Sequence, residues 1–170
     1  MKQLKMKYAP SGASVSDTPE NVFFRTFKHG EEEAWFFILS HGLFPEGTTK
    51  EEAFSDMASF SCLRPEEDIW FALRDGKGIA TATGMMQSAD VGYLHYICAL
   101  PEARGTGVAT ALIRHVIDAL TQKGATLIYL TTDDFRLGAI KTYLRLGLVP
   151  IIEDEEDRAR WDNVYHKLQI

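Results

Sequence analysis

The stretch with the clearest chemical potential is Arg104-Gly105-Thr106-Gly107-Val108-Ala109. Glycine tolerates φ > 0 without a Cβ clash, so the backbone can curl tightly here. Directly after it, Val108, Leu112, Val116 and Leu120 recur four apart, which predicts a helix with one apolar stripe. The first N–H groups of such a helix have no intrahelical partner and face the turn. A glycine-rich turn feeding a helix N-terminus is an anion site, usually for phosphate. A Gly-x-Gly turn also serves as a plain tight connection, so its context has to decide. The dinucleotide fingerprint G-x-G-x-x-G cannot be read, because the third glycine is missing. The P-loop G-x-x-x-x-G-K-[ST] is absent too.

The elements that must position this turn follow from periodicity and punctuation. Residues 2–8 alternate Lys or Gln with Leu, Met and Tyr, as a short edge strand would. Residues 9–20, small and polar with two prolines, read as a flexible connection. Val22 to Phe27 is a strand. Glu31-Glu32-Glu33 opens a helix carried by Trp35, Ile38 and Leu39, which ends at Gly42 to Gly47. Thr48 or Thr49 caps a second helix, with Glu51 or Glu52 completing a capping box. Phe54, Met57 and Phe60 mark its inner face.

Asp68 to Arg74 and Ile79 to Gln87 are strands joined by a hairpin turn at Asp75-Gly76-Lys77-Gly78. Gly84 inside the second suggests a bulge or a close backbone approach. The next strand starts at Val91, so three antiparallel strands lead into the glycine-rich turn. Beyond the helix, Gly124 acts as a stop. Thr126 to Thr132 reads as a strand buried on both faces. A helix follows from about Leu137 to Leu146, then a strand from Leu148 to Ile152 broken by Pro150. Glu153 to Asp157 reads as a solvated acidic loop and Trp161 to Leu168 as a last strand. No internal repeat is visible.

With this context the turn reads R-x-x-G-x-A, from Arg104 through Gly107 to Ala109. It resembles the coenzyme A-binding motif of the GNAT N-acetyltransferase superfamily, (Q/R)-x-x-G-x-(G/A). The resemblance covers the chain from about Val22 to its end. It implies a single α/β domain with a central, mixed, mostly antiparallel sheet flanked by helices. That domain would span residues 21–170, after an N-terminal arm or edge strand over residues 1–20. It implies acetyl-coenzyme A as co-substrate, its pyrophosphate on the backbone N–H groups of Arg104, Gly105, Thr106, Gly107, Val108 and Ala109. The pantetheine arm would pair with the strand end Ile97, Cys98, Ala99 and Leu100. Pro101 ends that strand, having no N–H to donate.

The family's second motif, commonly N-x-x-A-x-x-x-Y-x-x-x-G-F, is matched by Ala139, Tyr143 and Gly147. Arg136 stands where Asn is usual and Leu148 where Phe is usual. Arg136 either replaces the asparagine's contact to the coenzyme or that contact is absent. The resemblance makes Tyr143 the general acid that protonates the departing sulfur. The alternative is a half-buried helix tyrosine with its hydroxyl at the surface. Acetyl transfer to an amine also needs a group that takes the amine's proton. His95 is the best candidate, because an imidazole titrates near neutral pH. Strand alternation puts it on one face with Tyr93 and Ile97, with Leu94 and Tyr96 on the other. The alternative is a hydrogen-bonded core histidine. Asp90 and Tyr93 are weaker candidates, and His115 is expected to be solvated.

The expected activity is acetyl transfer from acetyl-coenzyme A to a primary amine of a small molecule or peptide by direct attack. A non-catalytic acyl-coenzyme A sensing module is the rival. The helical pair rich in aromatics from Phe36 to Phe60 would wall the acceptor pocket. No Gly-x-Ser-x-Gly or catalytic cysteine context supports an acyl-enzyme. A net charge of −6 argues against a nucleic-acid partner. No apolar run reaches the ~18 residues a membrane span needs, so no membrane partner is expected. Cys62 and Cys98 are far apart and the histidines lack ligand spacing, so no metal site is expected. Two free thiols suit the cytoplasm. A homodimer is suggested by family analogy alone.

Overall fold

The computed structural model describes residues 2–9 and 18–170. One sheet of seven strands organises it: β1 (Leu4–Tyr8), β2 (Val22–Thr26), β3 (Ile69–Arg74), β4 (Lys77–Met86), β5 (Val91–Ala99), β6 (Leu127–Thr132) and β7 (Leu148–Ile151). Their spatial order is β2-β3-β4-β5-β6-β1-β7. All neighbouring pairs are antiparallel except β5 with β6. The helices are α1 (Glu32–Ser40), α2 (Lys50–Ser59), the single turn α3 (Pro65–Asp68), α4 (Val108–Gln122), α5 (Leu137–Arg145) and α6 (Glu155–Leu168).

The alternation along β3 sorts the two faces. Ile69, Phe71 and Leu73 meet Trp35, Ile38 and Leu39 of α1 on one side. Trp70 and Ala72 belong with Val116, Ile117 and Leu120 of α4 on the other. Thr49 caps α2 and forms the capping box with Glu52, choosing between the pairs the sequence allowed. At Gly84 the approach is indeed close: an added Cβ would fall inside Val116 and lie 3.1 Å from Leu120 Cγ.

Five expectations are corrected. β1 is not at an edge; it lies between β6 and β7, because Leu4 and Met6 bury completely and both backbone sides find partners. β7 is the edge, which accommodates Pro150. Trp161 to Leu168 is helix rather than strand, and the acidic run is its start: Asp154 accepts the Asp157 N–H and Glu155 and Glu156 sit in the first turn. His115 is not solvated, since its ring packs edge-on to Trp70 at 4.5 Å and against Phe24. The alternation along β5 breaks at Tyr96, whose φ is +46°. Thr81 faces Cys98 while Thr83 faces His95, so β5 carries one extra residue there. Tyr96 therefore joins the α1 side beside His95, and Ile97 joins the α4 side. The expectation placed them the other way round. Residues 10–17 of the expected connection lie outside the described residues.

Candidate active site

The bulge sits where β5 and β6 stop pairing. Their parallel ladder runs from Val91–Leu127 to Leu94–Leu130 and ends. Beyond it, residues 95–99 open a cleft walled by α5. Two cavities occupy the cleft, and Ile97, Arg136, Ala139 and Tyr143 line both.

The larger cavity is a groove of about 870 Å³. Ile97, Cys98 and Ala99 form one wall, the turn at Arg104, Gly105 and Gly107 with Ala109 one end, and Gly138 and Thr142 of α5 the other wall. Gly105 and Gly107 have φ of +73° and +83°, the left-handed region open mainly to glycine. Gly107 is the N-cap of α4, and no side chain caps that helix. The free N–H groups and the positive end of the dipole thus stand at the groove. Arg104, Arg136 and Arg145 add positive charge in a chain of net charge −6. An uncapped helix, two left-handed glycines and this charge suit a pyrophosphate on a long, narrow ligand.

Not every expected residue faces the groove. Leu100 is buried on the α1 side, and its N–H is taken by the Ile79 carbonyl at 2.9 Å. The Thr106 hydroxyl donates to the Ala103 carbonyl at 2.7 Å, so it braces the turn. Val108 is fully buried in the core. Thr106 and Val108 have only backbone to offer there.

Arg104 and Arg136 are held by neighbours. Arg104 donates to the Ala99 and His41 carbonyls. Arg136 donates to the carbonyls of Gly42 and Leu43 and, through Nε, to Asp133 Oδ2 at 3.0 Å. The loop after α1 is thus tied across the cleft by both walls.

The smaller cavity, of about 280 Å³, lies beyond Tyr143. His95, Tyr96, Asp56, Phe44, Thr131 and Asp133 are among its lining. Burial pushes the Tyr143 hydroxyl above its ordinary range, so it keeps its proton. Burial pulls His95 down to about 4, against a weaker upward pull from Asp56, so its ring is neutral at pH 7. The ring stacks on Tyr93, whose hydroxyl reaches Thr131 at 3.0 Å and His95 Nδ1 at 3.4 Å. Desolvation and the hydrogen bond to Asp56 raise Tyr96, and burial raises Cys98. Asp56 is the residue that the sequence reading missed. It stands one turn before Phe60 on the helix whose inner face was recognised, and that spacing is the only available signal. Among the described residues no cluster of His, Cys, Asp and Glu could hold a metal ion, and no helix is long and apolar enough to cross a membrane.

The family model for the Acetyltransferase (GNAT) family matches residues 24–148, from β2 through the turn and Tyr143 to β7. The chain belongs to the GNAT acetyltransferase family. Two relatives are mycothiol acetyltransferases. That of Arthrobacter sp. strain FB24 is 28% identical over 93% of this chain and 49% of its own length. That of Streptomyces griseus is 24% identical over 86% of this chain and 49% of its own. This GNAT domain thus spans about half the length of the curated relatives it matches. Among solved structures, a GCN5-related N-acetyltransferase from Sphaerobacter thermophilus superposes with a TM-score of 0.70 over 88% of this chain and 50% of its own, at 22% identity. In this chain the glycine-rich turn and Tyr143 line one groove.

Proposed function

We propose that this domain transfers an acetyl group from acetyl-coenzyme A to a primary amine of a small molecule or peptide by direct attack. The observation that carries the reading is Tyr143, a protonated, buried hydroxyl lining both the groove and the smaller cavity. A donor held in the groove and an acceptor held in the cavity would meet beside it. When bound, the coenzyme supplies a thioester whose acyl carbon is the electrophile.

This chain's residues do the rest. Gly105, Gly107 and Ala109, with the backbone of Arg104, Thr106 and Val108, hold the pyrophosphate. Ile97, Cys98 and Ala99 line the path of the pantetheine arm. Tyr143 holds the proton that a departing thiolate needs. His95 is neutral and has a lone pair to accept the amine's proton, directly or through water. Its lowered pKa makes it a weak base, better suited to passing a proton on than to keeping it. Arg136 keeps the loop after α1 in place, with all three of its nitrogens engaged there, so its main task is to brace the cleft where the motif has Asn.

Titration calorimetry of acetyl-coenzyme A, paired with a free-thiol assay over a panel of amines, tests the reading. Micromolar binding with thiol release that depends on an amine is expected. Tight binding without transfer to any amine would favour an acyl-coenzyme A sensor. Absence of binding would reduce the glycine turn to a structural connection.

A further inference from the structure

We propose that Asp56 anchors the acceptor as a cation, so that the smaller cavity takes a primary amine in its ammonium form with no negative charge beside it. This rests on reading that cavity as the acceptor pocket of the transferase proposed above.

Asp56, Asp133 and Arg136 are the charged side chains lining the cavity. Two of them satisfy each other. Arg136 Nε donates to Asp133, its terminal nitrogens go to the Gly42 and Leu43 carbonyls, and Asp133 also accepts from Gln3. Asp56 has no such partner: it forms no ion pair among the described residues. Its Oδ2 accepts the Tyr96 hydroxyl at 2.5 Å. That bond exists because the bulge turns Tyr96, only 2% exposed, toward α2 instead of α4. The carboxylate is thereby aimed while its charge stays uncompensated.

The walls add to the effect. Tyr96 and Phe44 both line the cavity, 6.3 Å apart ring centre to ring centre. Aromatic faces attract cations. The same arrangement rejects anions. The cavity's one arginine already has its charge paired with Asp133, so a carboxylate or phosphate beside the amine would find no unpaired cation and would meet Asp56. The acceptor class is therefore an alkylamine, or an N-terminal amine followed by an amide. A free α-amino acid is excluded.

The test is calorimetric binding of matched probes to the whole chain and to Asp56→Asn. The probes are 2-phenylethylamine against 2-phenylethanol, and L-phenylalaninamide against L-phenylalanine. In the unaltered protein the amine should bind about tenfold more tightly than the alcohol, and the amide should bind where the amino acid does not. Asp56→Asn should bring amine and alcohol together without changing the alcohol. Asparagine still accepts from Tyr96 and sits on the exposed side of α2, so the fold is kept. Tyr96→Phe retains the charge but frees the carboxylate, and should cost the amine about threefold. Equal binding of amine and alcohol, absence of amine binding, or indifference to Asp56→Asn overturns the anchor. Thiol release read in parallel separates the two proposals. Transfer that ignores Asp56→Asn sinks the anchor alone, whereas Asp56-dependent binding with no transfer to any amine sinks the transferase alone.

Discussion

Arg136 donates to the carbonyl of Gly42 at 2.7 Å, tying the start of α5 to the loop that follows α1. Its second nitrogen takes Leu43 at 3.1 Å, while Arg104 reaches His41 from the opposite wall. Three consecutive carbonyls at a helix C-terminus, which carry partial negative charge, are thus gripped by two guanidinium groups. Leu43 itself and the next residue, Phe44, line the smaller cavity, so the grip sets that cavity's shape.

Arg136→Ala should therefore weaken the fold by about 2 kcal/mol, lowering the thermal midpoint by about 5 °C. Arg136→Lys should recover little, because one ammonium cannot serve two carbonyls and Asp133 in a plane. Differential scanning calorimetry of the three proteins decides. A lysine variant as stable as the parent would show that the fork geometry is irrelevant.

Gly107 is at φ +83° and lines the groove proposed for the pyrophosphate. Gly107→Ala should cost about 1 kcal/mol of stability for the left-handed backbone. Gly107→Glu should cost a similar amount and, in addition, abolish acetyl-coenzyme A binding by placing negative charge at the helix N-terminus. Calorimetric titration of both variants, with circular dichroism to confirm folding, separates strain from charge. Full binding in the glutamate variant would move the anion site elsewhere.

Tyr143→Phe removes the hydroxyl while the ring stays packed. Turnover should fall about 100-fold, the usual scale for losing a general acid, with acetyl-coenzyme A affinity unchanged. Steady-state kinetics beside a binding titration tests this, and an unaltered rate would assign the protonation to another group.

His95 ties stability to pH. Its folded pKa is about 4 against 6.5 when unfolded. Between those values the unfolded chain binds a proton that the folded chain refuses, so stability is complete above pH 6.5 and falls as pH drops toward 4. The loss from this group is at most about 3 kcal/mol. His115, also lowered by burial, adds in the same direction. Urea unfolding at pH 7 and pH 4.5 should show the loss, and His95→Gln should shrink it. Equal losses in both proteins would clear His95.

Gly84→Ala puts a methyl into Val116 and Leu120, both 1% exposed. Neither has room to move between β4 and α4. A loss of about 2 kcal/mol in urea unfolding is expected; a neutral result would mean that α4 can slide on the sheet.

What the sequence determined on its own was local. The glycine turn, the apolar stripe of α4, the β3–β4 hairpin and a Thr–Glu capping box before α2 all rest on residues within a turn or two of one another. Their backbone preferences and periods survive in any tertiary setting. The α6 error was of another kind. Trp161, Val164, Tyr165 and Leu168 carry a helical period that was there to be read, and the Asp154 cap with the acidic first turn supported it. The rest was decided by tertiary structure. Strand order put β1 inside the sheet, a matter of partners more than 120 residues away. One extra residue at Tyr96 reversed the faces of β5 beyond it, and a bulge is defined by the register against the partner strand, which no alternation pattern announces. That reversal brings Tyr96 to Asp56, forty residues apart in sequence, and sets His95 beside them in a desolvated pocket. Side-chain types can be read from a sequence. Whether a charge has been neutralised or left waiting for a ligand depends on which neighbours the fold supplies.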